Sequence, residues 1–161
     1  MRIREEQPGD ADAVYAVVSA AFGQPAEARL VRELHGARDA VIALVAEDAD
    51  SLVVGHILLS RMSAPFPALA LAPLSVASAR QGAGIGSALV REALRRAAGA
   101  SWRGIFVLGE PHYYERFGFS TAAASGFSSP YAGAHFMALA LAGPMPATSG
   151  ALGHAPAFSA L

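Results

Sequence analysis

The sequence predicts an α/β (α+β) fold: a mixed, mostly antiparallel sheet with one central parallel strand pair, flanked by about four helices. Three observations predict it. Residues 41–47 and 51–62 are apolar, β-branched runs around the short polar turn Asp48-Ala49-Asp50-Ser51, the pattern of an antiparallel hairpin. Residues 68–76, 84–98 and 104–109 read as strand, helix and strand in succession, and such a crossover makes a parallel pair. The chain has 161 residues, 53% of them apolar and 16% charged. A chain of that length buries about 70% of its unfolded surface without disulfides.

The elements follow in order. Residues 2–6 alternate around Ile3 and read as a short edge strand. Pro8-Gly9-Asp10 ends it, and Asp10 is placed to cap a helix reaching about Phe22, with Val14, Val17, Val18 and Ala21 on one face. Gly23-Gln24-Pro25 breaks that helix. Pro25 suits the first turn of a second, to about His35, with Leu30, Val31 and Leu34 apolar. The hairpin and a loop over residues 64–67 lead to the strand at 68–76. Pro73 lies inside it and cannot donate to a ladder, so the strand carries a bulge or an unpaired side there. After the crossover helix and the buried strand at 104–109, residues 111–117 read as a short helix. A strand is expected from Gly118, then a Gly/Ser-rich loop, then a last strand over 135–142. Residues 1–142 are expected to form one domain. Residues 143–161, rich in Pro, Gly and Ala, read as a tail without regular structure that packs on or extends it, with Phe158 as an anchor.

Composition narrows the function classes. The formal net charge is −1 with no basic stripe, so no nucleic-acid partner is expected. There is no Cys, and every Lys/Arg position is Arg. The five His include no i, i+4 pair, and no metal site is expected. The opening MRIREEQPGD lacks the apolar core of a signal peptide, and no run approaches the ~20 apolar residues of a membrane span. A cytoplasmic protein is the expectation.

The stretch RQGAGIGSALV, residues 80–90, places Gly82, Gly84 and Gly86 between a strand and a helix start. The first amides of a helix lack partners and its dipole presents positive potential, a geometry that binds phosphate. A tight turn with no ligand is the other reading. No G-K-[ST] occurs, which excludes a Walker loop, and G-x-G-x-G after an antiparallel hairpin does not suit a dinucleotide fingerprint. The second notable stretch is HYYERFGF, residues 112–119, an aromatic helix end closed by Gly118.

Together these segments resemble the GCN5-related N-acetyltransferase (GNAT) superfamily. Gln81-Gly82-Ala83-Gly84-Ile85-Gly86 fits its [RQ]-x-x-G-x-[GA] motif, and Tyr114, Gly118 and Phe119 fit its Tyr-x-x-x-Gly-Phe motif. GHILLS, LAPLSV, GIFVLGEPHYYERFGF, SPYAG and FMALAL are similar to a bacterial subgroup of small acetyltransferases. The resemblance implies transfer of an acetyl group from acetyl-CoA to a primary amine of a small molecule or protein. It places the pyrophosphate on the amides of Gln81, Gly82, Ala83, Gly84, Ile85, Gly86 and Ser87. It places the pantetheine arm on the backbone of Leu74, Ser75 and Val76, with the parallel strands splaying near Val76 and Leu108 to admit the thioester.

The chemistry then needs a donor for the carbonyl oxygen, supplied by a backbone N–H on the bulged strand, and a proton for the leaving thiolate. By resemblance Tyr114 supplies that proton, or hydrogen-bonds the sulfur, while Tyr113 is read as packing. Glu110 is a candidate base or amine orienter, and equally an end-of-strand acid or helix cap. His56 reads as a structural histidine or a base, and water relays the proton in the remaining alternative. Two departures from the motif stand out. Ala83 replaces a frequent Lys or Arg, a contact Arg80 could restore, and Gly109-Glu110-Pro111 stands where an Asn is frequent. The second helix, Phe66 and the loop 129–131 are expected to shape the acceptor pocket. A non-catalytic acyl-CoA-binding module is the alternative function, and a partner-binding protein that lost the ligand is a third. Either a monomer or a homodimer through residues 135–142 fits the sequence.

Overall fold

The computed structural model describes residues 1–161. Its elements are β1 (Arg2–Glu5), α1 (Ala11–Phe22), α2 (Ala26–Gly36), β2 (Ala40–Glu47), β3 (Val53–Arg61), β4 (Ala68–Val76), α3 (Ile85–Gly99), β5 (Gly104–Leu108), α4 (Pro111–Tyr114), α5 (Thr121–Ala124), β6 (Phe127–Ser128), β7 (Phe136–Ala140) and β8 (Gly150–Ala151). The main sheet runs β1-β2-β3-β4-β5-β7, and β6 pairs with β8 apart from it. In the main sheet only β4 and β5 are parallel, as the crossover through α3 requires.

The sheet is covered on both faces. The largest cluster packs α3 through Ile85, Leu89, Val90, Ala93 and Ala97 onto Leu44, Ile57, Leu59, Leu69 and Ile105. On the other face, Val14, Val17 and Val18 of α1 and Leu30, Val31 and Leu34 of α2 meet Val45, Leu58 and Ala70. The inward positions alternate along β2 and β3 because strand side chains point to opposite faces. A third cluster under the C-terminal half joins Phe66, Phe106, Phe127, Phe136 and Leu152.

Four local details differ from expectation. Asp10 does not cap α1 through its side chain; its carboxylate instead takes the Gln7 amide at 2.7 Å and the Arg4 guanidinium at 2.7 and 2.9 Å. No strand begins at Gly118. Ser120 makes a single bridge to Ala138, then its Oγ accepts from the Ala123 amide at 3.1 Å and starts α5, a fifth helix built of good helix formers. The tail is ordered: Gly150–Ala151 pairs with Phe127–Ser128, Gly153 bridges Ser63, and a 3-10 turn over Pro156–Ala160 buries Phe158 against the α2 face. Phe66 is buried beneath this segment and does not line the large cavity between β4 and β5, against the expectation that it shapes a pocket.

The bulge falls where Pro73 places it. Ile57 faces Leu74 and Leu59 faces Leu71, so Ala72 and Pro73 together oppose the single residue Leu58. On its other edge β4 pairs with β5 only through Ala68, Leu69 and Ala70. Beyond Ala70 and Phe106 the two strands separate. No helix is long and apolar enough to cross a membrane, and no group of three or more His, Asp and Glu side chains converges as a metal site would require.

His56 is fully buried and its Nε2 lies 2.7 Å from Glu6 Oε1, while His35 Nε2 lies 3.2 Å from Glu6 Oε2. Glu6 thereby ties β3 and α2 to the start of the chain. Although its burial works in the opposite direction, the two imidazoles pull the Glu6 carboxyl down to about 2. The same contact raises His35. The carboxylate's stabilising contribution is full above its ordinary value of 4.5 and is lost as pH falls towards about 2. His35's contribution is full below 6.5 and is lost as pH rises through its raised value. In urea melts across pH, Glu6→Gln is expected to flatten the loss of stability between pH 4.5 and 2 relative to the parent chain. Parallel curves would show that Glu6 does not carry this dependence.

Candidate functional site

The loop between β4 and α3 leaves a row of amides free. None of the amides from Gly82 to Ser87 donates to another backbone carbonyl; the first that does is Ala88, to Gly84 O at 3.0 Å. No side chain caps α3 either. Gly82 and Gly84 have φ of 83° and 82°, the left-handed region that other residues adopt only under strain. A side chain built on either would meet nothing within 4 Å, so the space before these two positions is open. Gly86 is different: a Cβ there would lie 2.9 Å from the Tyr113 hydroxyl. Two of the glycines thus serve the loop's conformation and its open face, and the third serves contact with Tyr113.

A pocket of about 490 Å³ lies against this loop, lined by Leu74, Val76, Arg80, Gln81, Gly82, Gly84, Ile85, Gly86, Ser87, Tyr113 and Arg116. Ala83 is exposed beside it. Gln81 holds the strand end with its side-chain amide, 3.3 Å from Val76 O. Arg80 lines the pocket but is held by Asp48, 2.7 Å away. The Leu52 and Asp50 amides and Arg80 together keep that carboxyl below the usual range. Arg116, four residues into the aromatic segment and unremarkable in the sequence, stacks its guanidinium 4.6 Å from the Tyr113 ring centre. The polar face that Ala83 lacks is therefore supplied from α4 and the turn after it.

The second cavity, about 400 Å³, occupies the gap between the diverging strands. Leu71, Ala72, Pro73 and Leu74 of β4 form one side; Phe106, Leu108 and Gly109 form the other. Tyr114 reaches it from α4, and Glu110 from the residue before α4. Tyr114 is buried among Tyr113, Phe117 and Phe119, and that burial pushes its hydroxyl up to about 12. It is a protonated phenol through the physiological range. Successive residues of one helical turn therefore face different chambers, Tyr113 the glycine loop and Tyr114 the strand gap. The expectation that Tyr113 only packs is incomplete, since its hydroxyl lies against that loop.

Three further candidates from the sequence fall elsewhere or stand apart. Glu110 is exposed, lines the cavity and makes no cap hydrogen bond. The Ser75 side chain is buried opposite His56 in the β3–β4 register and lines neither cavity, so only its backbone reaches the open edge. His56 serves Glu6 and lines neither cavity.

His154, like Arg116, carries no distinguishing mark in the sequence. It sits in the tail and lines the cavity with Tyr114. Tyr131 and Phe158 pack edge-on against its ring at 4.8 and 5.3 Å between centres. Its Nδ1 is buried without a hydrogen-bond partner. Burial lowers its affinity for a proton, so the imidazole is neutral at pH 7. Only the long-range fold of the tail brings it here.

This arrangement has known counterparts. The family model of the acetyltransferase (GNAT) domain matches residues 39–121. Over 126 residues the chain is 34% identical to the uncharacterised N-acetyltransferase YhbS of Escherichia coli, covering 76% of this chain and 75% of that protein. It is 36% identical over 132 residues to the uncharacterised N-acetyltransferase YjhQ of Escherichia coli, with coverage of 76% and 71%. Among solved structures, Escherichia coli YhbS in complex with CoA superposes with a TM-score of 0.92 at 29% identity, covering 98% of this chain and 91% of that one. A GNAT family acetyltransferase from Brucella melitensis in complex with acetyl-CoA superposes with a TM-score of 0.83 at 37% identity, covering 98% and 97%. By sequence over three quarters of its length and by fold over nearly all of it, the chain belongs to the GNAT acetyltransferase family.

Proposed function

We propose that the chain transfers an acetyl group from acetyl-CoA to a primary amine. The observation that carries this reading is the row of free amides from Gly82 to Ser87, opening beside the unpaired edge of β4. The residues fit the donor in kind. Free N–H groups at the start of a 15-residue helix suit a pyrophosphate, and Arg116 and the Tyr113 hydroxyl add donors on the facing wall. The edge of Leu74, Ser75 and Val76 that β5 leaves unpaired suits the amide-bearing pantetheine arm as an added strand. Two solved relatives hold CoA or acetyl-CoA, which supports the same donor here.

The chemistry follows from the residues that line the strand gap. The amine nitrogen attacks the thioester carbonyl carbon; the C–N bond forms and the C–S bond breaks. A backbone N–H of the bulged β4 segment meets the charge on the carbonyl oxygen. Tyr114, kept protonated by its burial, gives its proton to the leaving sulfur. Glu110 orients the incoming ammonium, and the neutral imidazole of His154 takes one of its protons to give the neutral amine that attacks; the second N–H proton, lost as the amide forms, returns to the Tyr114 oxygen. The products are an amide and the free thiol.

Calorimetric titration with acetyl-CoA, with NADH as control, tests the donor. Micromolar binding of acetyl-CoA alone is expected, and Gly84→Trp should abolish it by filling the space before the loop. No binding would leave the glycines as a turn and remove the acetyl-transfer reading. Binding without turnover across a broad amine panel would favour a non-catalytic acyl-CoA module.

Tyr114→Phe is expected to lower kcat about tenfold or more while acetyl-CoA binding stays nearly unchanged. Unchanged turnover would take Tyr114 out of the chemistry. His154→Gln tests the proton acceptor through pH. Because burial lowers His154 below 6.5, the acid limb of kcat/KM should lie below that pH and disappear in the variant. An acid limb that persists in the variant would assign the proton to another group.

A further inference from the structure

We infer that the acceptor is a small primary amine carrying a single positive charge on an apolar body. The inference deepens the acetyl-transfer reading and rests on it. Its first support is where the surface leaves large apolar side chains in water. Only five are exposed, Met1, Phe22, Leu52, Leu108 and Leu161, and three of them, Phe22, Leu108 and Leu161, line the strand-gap cavity. Phe22 is 42% and Leu108 52% exposed, although both sit at element ends where a polar residue costs nothing. Exposed apolar surface gathered around one cavity marks a place that meets an apolar partner. The walls continue it inward through Leu30, Phe106, Tyr131 and Phe158.

The second support is charge. Among the residues that line this cavity the acids are Glu27 of α2 and Glu110, and no Arg lines it. His154, the remaining titratable nitrogen, is neutral at pH 7 because its partial burial lowers its affinity for a proton. A ligand with a carboxylate would meet two like charges and no cation. A polyamine with three or more ammonium groups has more charges than the two acids can pair, and a desolvated surplus charge without a partner is costly. One ammonium near the acids, with an aliphatic or aromatic body among Phe22, Leu30, Leu108 and Tyr131, satisfies every wall. The glycine-loop pocket differs on each count, being lined by Arg80 and Arg116 and rich in backbone donors. The two chambers thus separate an anionic donor from a cationic, apolar acceptor.

Three probes isolate the features: 2-phenylethylamine, phenylalanine, which adds a carboxylate to the same skeleton, and spermidine, which adds charge without a ring. With saturating acetyl-CoA, kcat/KM for 2-phenylethylamine is expected to exceed that of each of the others at least tenfold. Phe22→Ser and Glu27→Gln, at partly exposed positions, should each raise its KM about tenfold with little change in kcat, as the loss of uniform binding does. The KM for acetyl-CoA should stay unchanged. Titration of 2-phenylethylamine without donor gives a separate readout, expected to show binding that both variants weaken. Preference for spermidine or phenylalanine, or no binding and no turnover of 2-phenylethylamine while acetyl-CoA binds, overturns the acceptor class and leaves the donor assignment standing. Failure of acetyl-CoA itself to bind overturns the acetyl-transfer reading instead.

Discussion

Pro73 has no amide hydrogen, and the strand that contains it therefore cannot make a continuous ladder. The missing hydrogen bond forfeits about 1 kcal/mol of pairing. The chain absorbs it as a bulge, with Ala72 and Pro73 opposing one residue of β3. Beyond Ala70, β4 also leaves β5, although the two strands are adjacent and parallel. Most buried strands satisfy both edges, and an unpaired edge in the middle of a sheet is costly unless water or a ligand meets it. Everything in the candidate site is arranged around that exposed edge. The gap forms one cavity, the end of β4 leads into the glycine loop, and α4 follows the end of β5.

The glycine loop completes the arrangement through the crossover helix. A parallel pair needs a crossover, the crossover is α3, and the start of α3 must lie at the C-terminal end of β4. Its free amides are thus delivered beside the strand gap by topology alone. The buried face of α3, Ile85, Leu89, Val90 and Ala93 against the sheet, fixes the height at which those amides sit. Glu92 joins Arg95 and Arg96 on the solvent side, where such exposed pairs stabilise little. The site therefore depends on the packed face of the helix and not on its charged one.

Local patterns make much of this legible. The hairpin, the bounds of β4, the bulge at Pro73 and the helix after the glycines follow from alternation, turn residues and the missing proline donor, all short-range rules. The glycine loop is legible for the same reason, because its residues are contiguous. The lining of the strand-gap cavity is not. Phe22 and Glu27 come from α1 and α2, Glu110 from the residue before α4, and Tyr131 and His154 from segments with no periodicity. Apolar character alone would put Phe66 in the pocket, but the tail that folds over it puts it in the core. Ser120 starts a helix in place of the expected strand because one hydroxyl capping one amide outweighs weak strand propensity over four residues. Arg116 has no distinctive sequence context, being an exposed arginine on a helix end, and its ring partner identifies it only in three dimensions.

Tyr113 and Tyr114 are neighbours in the chain and face separate chambers from a single helical turn. Each residue added to or removed from that turn rotates every later side chain of the helix by about 100°. One deletion at Pro111 or His112 would carry neither ring to its present place. The helical turn of α4 can thus exchange individual side chains, but its length is constrained. Across diverging relatives, gaps should collect on either side of this stretch and not within it.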